Sequence, residues 1–486
     1  MPTAIRGITL PSGSLLVGGD RIERTATGVR DQVDPATGEV LAPITLAGPD
    51  EIDQAVAAAH DAQDSWRSLD ATKRRDIIMR FADLVDEHGE ELSVLRSLEL
   101  GAPKKKGKGL NMAVEYMRYF AGWVDKIEGS TIPVNGRALN YTVPEPYGTV
   151  AALTPWNGGV VSAAMKVIPA LVAGNCVVLK PSELAALAPL RFGEIGREAG
   201  LPPGVLSVVP GAVAAGEALV AHPGIHKISF TGGTATARNV TIGAAANLTP
   251  VILELGGKSA NIVFADADIA TAVQTTVFVA LAGMSGQGCV LPTRLLVHDD
   301  IYDEVTRHVV EMASALKVGR PFDDGVQAGP VITEAACARI LHTIDEAHLR
   351  GDGELRTGGH RIGGDLAAGF FIEPTVFADV DNTSPIAQEE IFGPVLCIIR
   401  FSDEVDAISK ANDSDFGLGG LVFTNDLSRA HRVASALRVG SVGVNAFAPM
   451  PPNVPFGGVK QSGYGREGGL AGVNEFLQTK NVYVGL

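Results

Sequence analysis

Cysteine is scarce in this chain: four residues among 486, at positions 176, 289, 337 and 397, with no C-x-x-C and no paired spacing. That argues against a disulfide framework or a zinc ribbon and suits a reducing, cytoplasmic setting. Long apolar runs are missing as well. The most apolar stretches, such as 269–284, are interrupted by Thr and Gln and fall short of a membrane span. Residues 1–10 hold one Arg and no apolar core long enough for a signal peptide. Positive charge is in deficit, with 40 Lys and Arg against 55 Asp and Glu and a net charge of −15. Such a surface repels a phosphate backbone, so neither nucleic acid nor a membrane is an expected partner. The one basic run, Lys104, Lys105, Lys106 and Lys108, reads as a solvated loop after a helix. The ten histidines are scattered, no H-E-x-x-H occurs, and His222 and His226 enclose Pro223-Gly224, so no metal site is expected.

What is present is alternation. At this length two or three packed units are expected. From about residue 147, short runs rich in Val, Ile and Leu (149–153, 176–179, 206–209, 227–230, 251–255) alternate with Ala-rich segments of helical spacing, which predicts βαβ units and a parallel sheet. Residues 49–124 read as mostly helical. A second alternating stretch begins at Ala260, and Gly256-Gly257 is the natural joint between the two. Residues 130–147 and the C-terminal KNVYVGL are strand-like and outside both patterns, as edge strands that pair with another chain often are. The expected fold is α/β: a Rossmann-like unit (1–128 and 148–255), a second α/β unit (256–456), and a small β element with the C-terminal segment (129–147 and 457–486) that pairs copies of the chain.

Two glycine motifs are set aside. Gly463-Tyr-Gly465-Arg-Glu-Gly468 fits G-x-G-x-x-G but follows a loop rather than a strand. Gly257-Lys258-Ser259 looks like the tail of a P-loop, yet Ile252 stands where the first Gly belongs.

Other strings carry more: Thr154-Pro-Trp156-Asn157, Leu179-Lys180-Pro-Ser182-Glu183, Phe230-Thr231-Gly232-Gly233-Thr234, Leu253-Glu254-Leu255-Gly256-Gly257-Lys258, Gly286-Gln287-Gly288-Cys289, Glu389-Glu390-Ile-Phe392-Gly-Pro394 and Pro455-Phe456-Gly457-Gly458. Read singly, each is weak. Asn157 caps or turns the chain before Gly158-Gly159 as readily as it donates to an oxyanion, and a buried Cys is most often a small core hydrophobe. In this order and spacing, nearly end to end, the chain resembles the aldehyde dehydrogenase superfamily of the NAD(P)-dependent, hydrolytic type.

The resemblance implies a thiol mechanism. A thiolate adds to the aldehyde carbon, the resulting oxyanion expels hydride, and water then cleaves the thioester. It implies Cys289 as the nucleophile, kept accessible by its small, flexible neighbours Gly286 and Gly288. Asn157 with the Cys289 backbone N–H forms the oxyanion site, Glu254 is the base for water, and Lys166 joins the catalytic set. Cysteines 176, 337 and 397 are left as core residues. NAD is the implied cofactor, with NADP the alternative, held by Thr154, Pro155, Trp156, Lys180, Ser182, Glu183, Phe230, Thr231, Gly232, Gly233, Leu255, Gly256, Glu390 and Phe392. Glu183 accepts hydrogen bonds from a ribose 2′-OH and repels a 2′-phosphate, an effect that Lys180 partly offsets. Gly233 stands where relatives often carry Ser and Ala237 where many carry Gly, which removes a hydroxyl and crowds the turn. Aligned with the aromatic residues that line the tunnel to the thiol in relatives handling small aldehydes are Gly158, Met165, Gly283 and Met450, with Phe456 keeping its ring and Met112 contributing. Fewer rings leave a wider wall, which suits a medium or bulky hydrophobic or aromatic aldehyde unless loops near Phe447 refill the space. The expected partners are that small-molecule aldehyde and copies of the chain, as a homodimer or homotetramer. Transfer of the acyl group to coenzyme A, and a non-catalytic binding protein on the same fold, are the alternatives. Glu254 counts against the first and the nucleophile–base pair against the second.

Overall fold

The computed structural model describes residues 4–104, 110–447 and 450–486. Of the lysine run, Lys105, Lys106 and Lys108 lie outside these residues, while Lys104 pairs with Glu90 at 3.0 Å.

Two sheets organise the chain. The first has eight strands in the spatial order Gly463–Tyr464, Val251–Glu254, Lys227–Thr231, Thr149–Thr154, Cys176–Pro181, Leu206–Val208, Leu15–Val17, Asp20–Ile22. Its five middle strands are parallel and the flanking ones antiparallel. Helices cover both faces, so the parallel strands are buried along their length rather than on alternate residues, as in the fully buried Thr149–Thr154. The second sheet runs Glu354–Thr357, Thr375–Ala378, Val395–Phe401, Arg294–His298, Ala260–Val263, Gly419–Phe423, Ser441–Val444, parallel apart from its first strand. The chain leaves the first sheet at Glu254 and enters the second at Ala260.

Residues 49–124 hold four helices, Pro49–Arg67, Ala71–Glu87, Gly89–Leu100 and Asn111–Ala121. Their apolar faces join the core of the first sheet through Trp66, Phe81 and Phe120. Two elements differ from expectation. Leu15–Val17 and Asp20–Ile22 add to the first sheet, and Gly463–Tyr464 closes its other edge, so the C-terminal segment contributes to the cofactor half as well. The strand-like outliers Ala138–Pro146 and Leu477–Gly485 pair with each other in full nine-residue register, leaving Tyr483 and Leu486 exposed.

The order of strands in the first sheet reverses between Thr149–Thr154 and Lys227–Thr231. From Thr149–Thr154 the chain steps outward through Cys176–Pro181 and Leu206–Val208, then returns to add Lys227–Thr231 and Val251–Glu254 on the other side. At such a switch point the loops at the carboxyl ends part and leave a crevice.

Candidate active site

That crevice holds a cavity of about 520 Å³, within the range of small-molecule and cofactor sites. Every position named for the cofactor lines it: Thr154, Pro155, Trp156, Lys180, Ser182, Glu183, Phe230, Thr231, Gly232, Gly233, Leu255, Gly256, Glu390 and Phe392. Four of these groups follow carboxyl ends of adjacent parallel strands. The backbone ties those ends together: Ser182 N–H donates to Thr154 O at 3.0 Å and Gly232 N–H to Glu254 O at 3.1 Å.

Gly233 is the N-cap of helix Thr234–Ala245 and has extended φ and ψ with no side-chain cap. A Cβ there would meet nothing within 4 Å, and Gly233 and Thr236 line the cavity at this helix start, the kind of terminus that attracts an anion. Burial lowers the pKa of Lys180, and Glu183 opposes that shift. Sequence reasoning missed the far wall, where Ala212, Val213, Gly216, Glu217 and Val220 face Thr236, Asn239 and Val240 across the cavity. These lie on two helices whose only sequence signal is their apolar spacing. The cavity thus continues beyond Lys180 and Glu183 between two helices, with a helix start beside it, and has the size an adenine dinucleotide needs.

At the other end, Glu390 accepts a hydrogen bond from Gly257 N–H at 3.2 Å. Burial pushes its carboxyl upward, and the Gly257 N–H, Lys258 and Arg339 resist. Phe392, at φ +55°, meets Trp156 edge to face at 5.5 Å.

Cys289 and Asn157 open onto the same cavity. Cys289 as a residue is half-buried, and its glycine neighbours are not there for flexibility. A Cβ on Gly286, whose φ is +72°, would overlap the Gly393 carbonyl, and one on Gly288 would stand 2.9 Å from Leu291 Cγ. The glycines allow close packing that fixes the loop. The Cys289 thiol is pushed up to about 12 by burial and then by the carboxylates of Glu390 and Glu254, against the Cys289 and Val290 backbone N–H groups. Asn157 Nδ2 donates to Gln287 O at 3.0 Å, which orients the amide and leaves its second N–H unused.

Glu254 and Lys166 stand behind the cavity wall rather than on it. Both Glu254 oxygens are buried without a hydrogen-bond partner. Its carboxyl is held well above the usual range by burial and by Glu467, with Lys166 and Arg466 pulling the other way. Lys166 Nζ donates to Glu467 Oε1 at 2.5 Å and to Ser229 Oγ at 3.0 Å. Glu467 and Arg466 lie in the G-x-G-x-x-G string set aside as a cofactor motif. The string lies outside the lining of the large cavity and brings charge to bear on Glu254.

None of the six positions named for substrate lines the large cavity. Met165 is buried in the core and Met112 packs against it. A Cβ on Gly158 would overlap the Ser162 hydroxyl, whereas one on Gly283 would have only an ordinary contact, Phe278 O at 3.5 Å. Met450 and Phe456 share a cavity of about 20 Å³ with Phe447. Among the described residues no three His, Cys, Asp or Glu side chains are grouped to hold a metal.

A cysteine and an amide opening onto a dinucleotide-sized cavity at the switch point of a parallel sheet have the layout of a cofactor-dependent enzyme with a thiol nucleophile. The Aldehyde dehydrogenase family profile matches residues 22–482, and the chain belongs to that family. It is 40% identical to an aldehyde dehydrogenase of Enchytraeus buchholzi, covering 100% of this chain and 98% of that one. With human retinal dehydrogenase 2 it shares 42% identity over 93% of this chain and 88% of the other. The crystal structure of betaine aldehyde dehydrogenase from Staphylococcus aureus in complex with NAD+ superposes with a TM-score of 0.95 at 34% identity, covering 98% of this chain and 95% of that one.

Proposed function

We propose that this protein oxidises an aldehyde to the carboxylic acid with NAD, through a thiohemiacetal and then a thioester on Cys289 that water hydrolyses with Glu254 as base. The observation that carries this reading is the shared cavity: the sulfur of Cys289, the amide of Asn157 and all the ribose- and phosphate-facing groups open onto one space. Residues Gly232 to Thr236, Lys180, Glu183 and Glu390 would hold the dinucleotide, whose nicotinamide supplies the hydride acceptor.

Cys289 gives its proton to solvent water as its sulfur bonds to the aldehyde carbon. The free N–H of Asn157 and the Cys289 backbone N–H stabilise the oxygen that gains charge. Collapse of that oxyanion restores the carbonyl and releases hydride, leaving the thioester. Glu254 then takes a proton from water, the hydroxide adds to the thioester, and the sulfur leaves as the acid forms. The Lys166–Glu467 pair acts on Glu254 through charge, the carboxylate raising its pKa and the ammonium lowering it.

In this reading residues 1–128 and 148–255 hold the cofactor, 256–456 bring the thiol, and the ribbon formed by 129–147 and the C-terminal segment joins copies into a homodimer or homotetramer. Glu183 favours NAD over NADP. The four cysteines, unbridged, suit a cytoplasmic location. A medium or bulky hydrophobic or aromatic aldehyde is the substrate class, supported by Leu100, Ala102 and Met284 around Asn157. NADH formation with a panel of aldehydes, with and without coenzyme A, is the test. Turnover that requires coenzyme A would replace hydrolysis by acyl transfer, and no NADH with any aldehyde would overturn the reading.

A further inference from the structure

Arg96 lies on helix Gly89–Leu100 and no step above uses it. Its guanidinium makes no hydrogen bond and no ion pair with the described residues, and burial alone depresses its pKa, with no carboxylate acting on it. The carboxylate one helical turn on, Glu99, is committed elsewhere: it accepts from Leu187 N–H at 2.5 Å and Ala188 N–H at 3.0 Å. A guanidinium carries five donors and is costly to desolvate without an acceptor. In a chain with 55 acidic residues this cation is nevertheless left open, and its position explains for what.

Arg96 lines a cavity of about 10 Å³ together with Asn157, Met284 and Gln287, directly beside the loop that carries Cys289. A second cavity of about the same size borders it from the side of Leu110 and Trp156. Asn157 belongs both to the first of these and to the large cavity with Cys289. Trp156 and Asn157 thus form a wall common to the cavity of Arg96 and the space onto which the thiol opens. A volume of this size takes about one oxygen-sized probe, so a ligand reaches Arg96 with a single oxygen at its tip.

We propose that Arg96 binds an anionic oxygen at the end of the substrate away from the aldehyde, so that the preferred substrates are semialdehydes and carboxylate-bearing aromatic aldehydes. This rests on the aldehyde-oxidising reading above and narrows it to one charge class.

The test uses matched pairs of the full-length protein's substrates: glutaric semialdehyde with pentanal, and para-carboxybenzaldehyde with para-methylbenzaldehyde. Wild type should favour the anionic member in kcat/KM by a factor on the order of 10–100, the usual weight of a hydrogen bond to a charged group. Arg96→Gln should bring the ratio near unity, with the loss in KM of the anionic member, and Arg96→Lys should keep part of it. Binding of the products glutarate and terephthalate, followed by tryptophan fluorescence, reads the same site without turnover and should weaken in Arg96→Gln. If Arg96→Gln does not fold, as judged by its melting, Arg96→Lys carries the comparison. A wild-type preference for the uncharged members, or a ratio and product affinity unmoved by these substitutions, overturns the proposal while aldehyde oxidation stands. Absence of NADH with every aldehyde overturns the oxidation reading itself.

Discussion

The carboxylate of Glu390 occupies the space that a Cβ on Gly256 would need. The glycine is therefore part of how the carboxylate reaches the cavity, and the bond from Gly257 N–H at 3.2 Å holds it there. Gly256→Ala should displace Glu390 and raise the Kd of NAD about 10-fold, consistent with losing one hydrogen bond to a charged group. NAD titration by fluorescence measures this. Unchanged NAD affinity would show that Glu390 has another route to the ribose.

The two half-reactions should separate by mutation. Cys289→Ala abolishes NADH formation. Glu254→Gln allows acylation and hydride release and then stalls, giving a burst of at most one NADH per subunit in a stopped-flow trace. Asn157→Ala slows turnover by roughly 10²–10³-fold, the common result of removing one oxyanion donor. Steady turnover by Glu254→Gln would remove Glu254 as the base.

Cys289 and Glu254 are both acids whose pKa is raised. Both are neutral at low pH, and both act in the charged form, so reactivity must climb with pH. With the resting thiol at about 12, alkylation of Cys289 by iodoacetamide should accelerate about tenfold per pH unit from neutral to pH ~10, following the thiolate fraction. Glu254→Gln removes one of the two carboxylates that raise the thiol and should shift the profile to lower pH. A plateau beginning near pH 8 in wild type would contradict the buried, anion-flanked thiol.

Glu183 lines the cavity with Lys180, and burial weakens the hold of Lys180 on its proton. The carboxylate should decide the balance. Wild type should show higher kcat/KM with NAD than with NADP, and Glu183→Ser should narrow or invert that ratio. A wild-type preference for NADP would mean that Lys180 outweighs Glu183.

The ribbon of Ala138–Pro146 and Leu477–Gly485 presents exposed Tyr483, Val484 and Leu139. Deleting residues 480–486 strips most of one strand and leaves its partner's backbone groups unpaired. Light scattering should then report monomer or aggregate in place of the homo-oligomer. An unaltered assembly would place the contact elsewhere.

Much of this architecture was readable beforehand, for a physical reason. Parallel strands covered on both faces are buried along their length, so 149–153, 176–179, 227–230 and 251–255 announced themselves. The polar and glycine residues that interrupt them fall at carboxyl ends, where the crevice is. Leu15–Val17 was not legible, because three residues carry no period. Glu467 was passed over because G-x-G-x-x-G was weighed only as a phosphate motif; its charge matters through Lys166, 301 positions away. The substrate positions fared least well. Tunnel walls depend on where loops come to rest, and Gly158 owes its lack of a side chain to the Ser162 hydroxyl, a neighbour one helical turn on.

The pairing of Lys166 with Glu467, and of Asn140 with Asn481 341 positions later, has a consequence in time. On a ribosome that releases the N-terminal part first, the first sheet, its helices and the thiol loop all emerge before the carboxylate that neutralises Lys166 exists. The early folding unit must carry that ammonium unpaired, and only completion of the chain relieves it. Contacts of such separation also slow folding, since a long loop must close before they form. A copy that stops before Glu467 thus lacks both the carboxylate paired with Lys166 and the strand Leu477–Gly485.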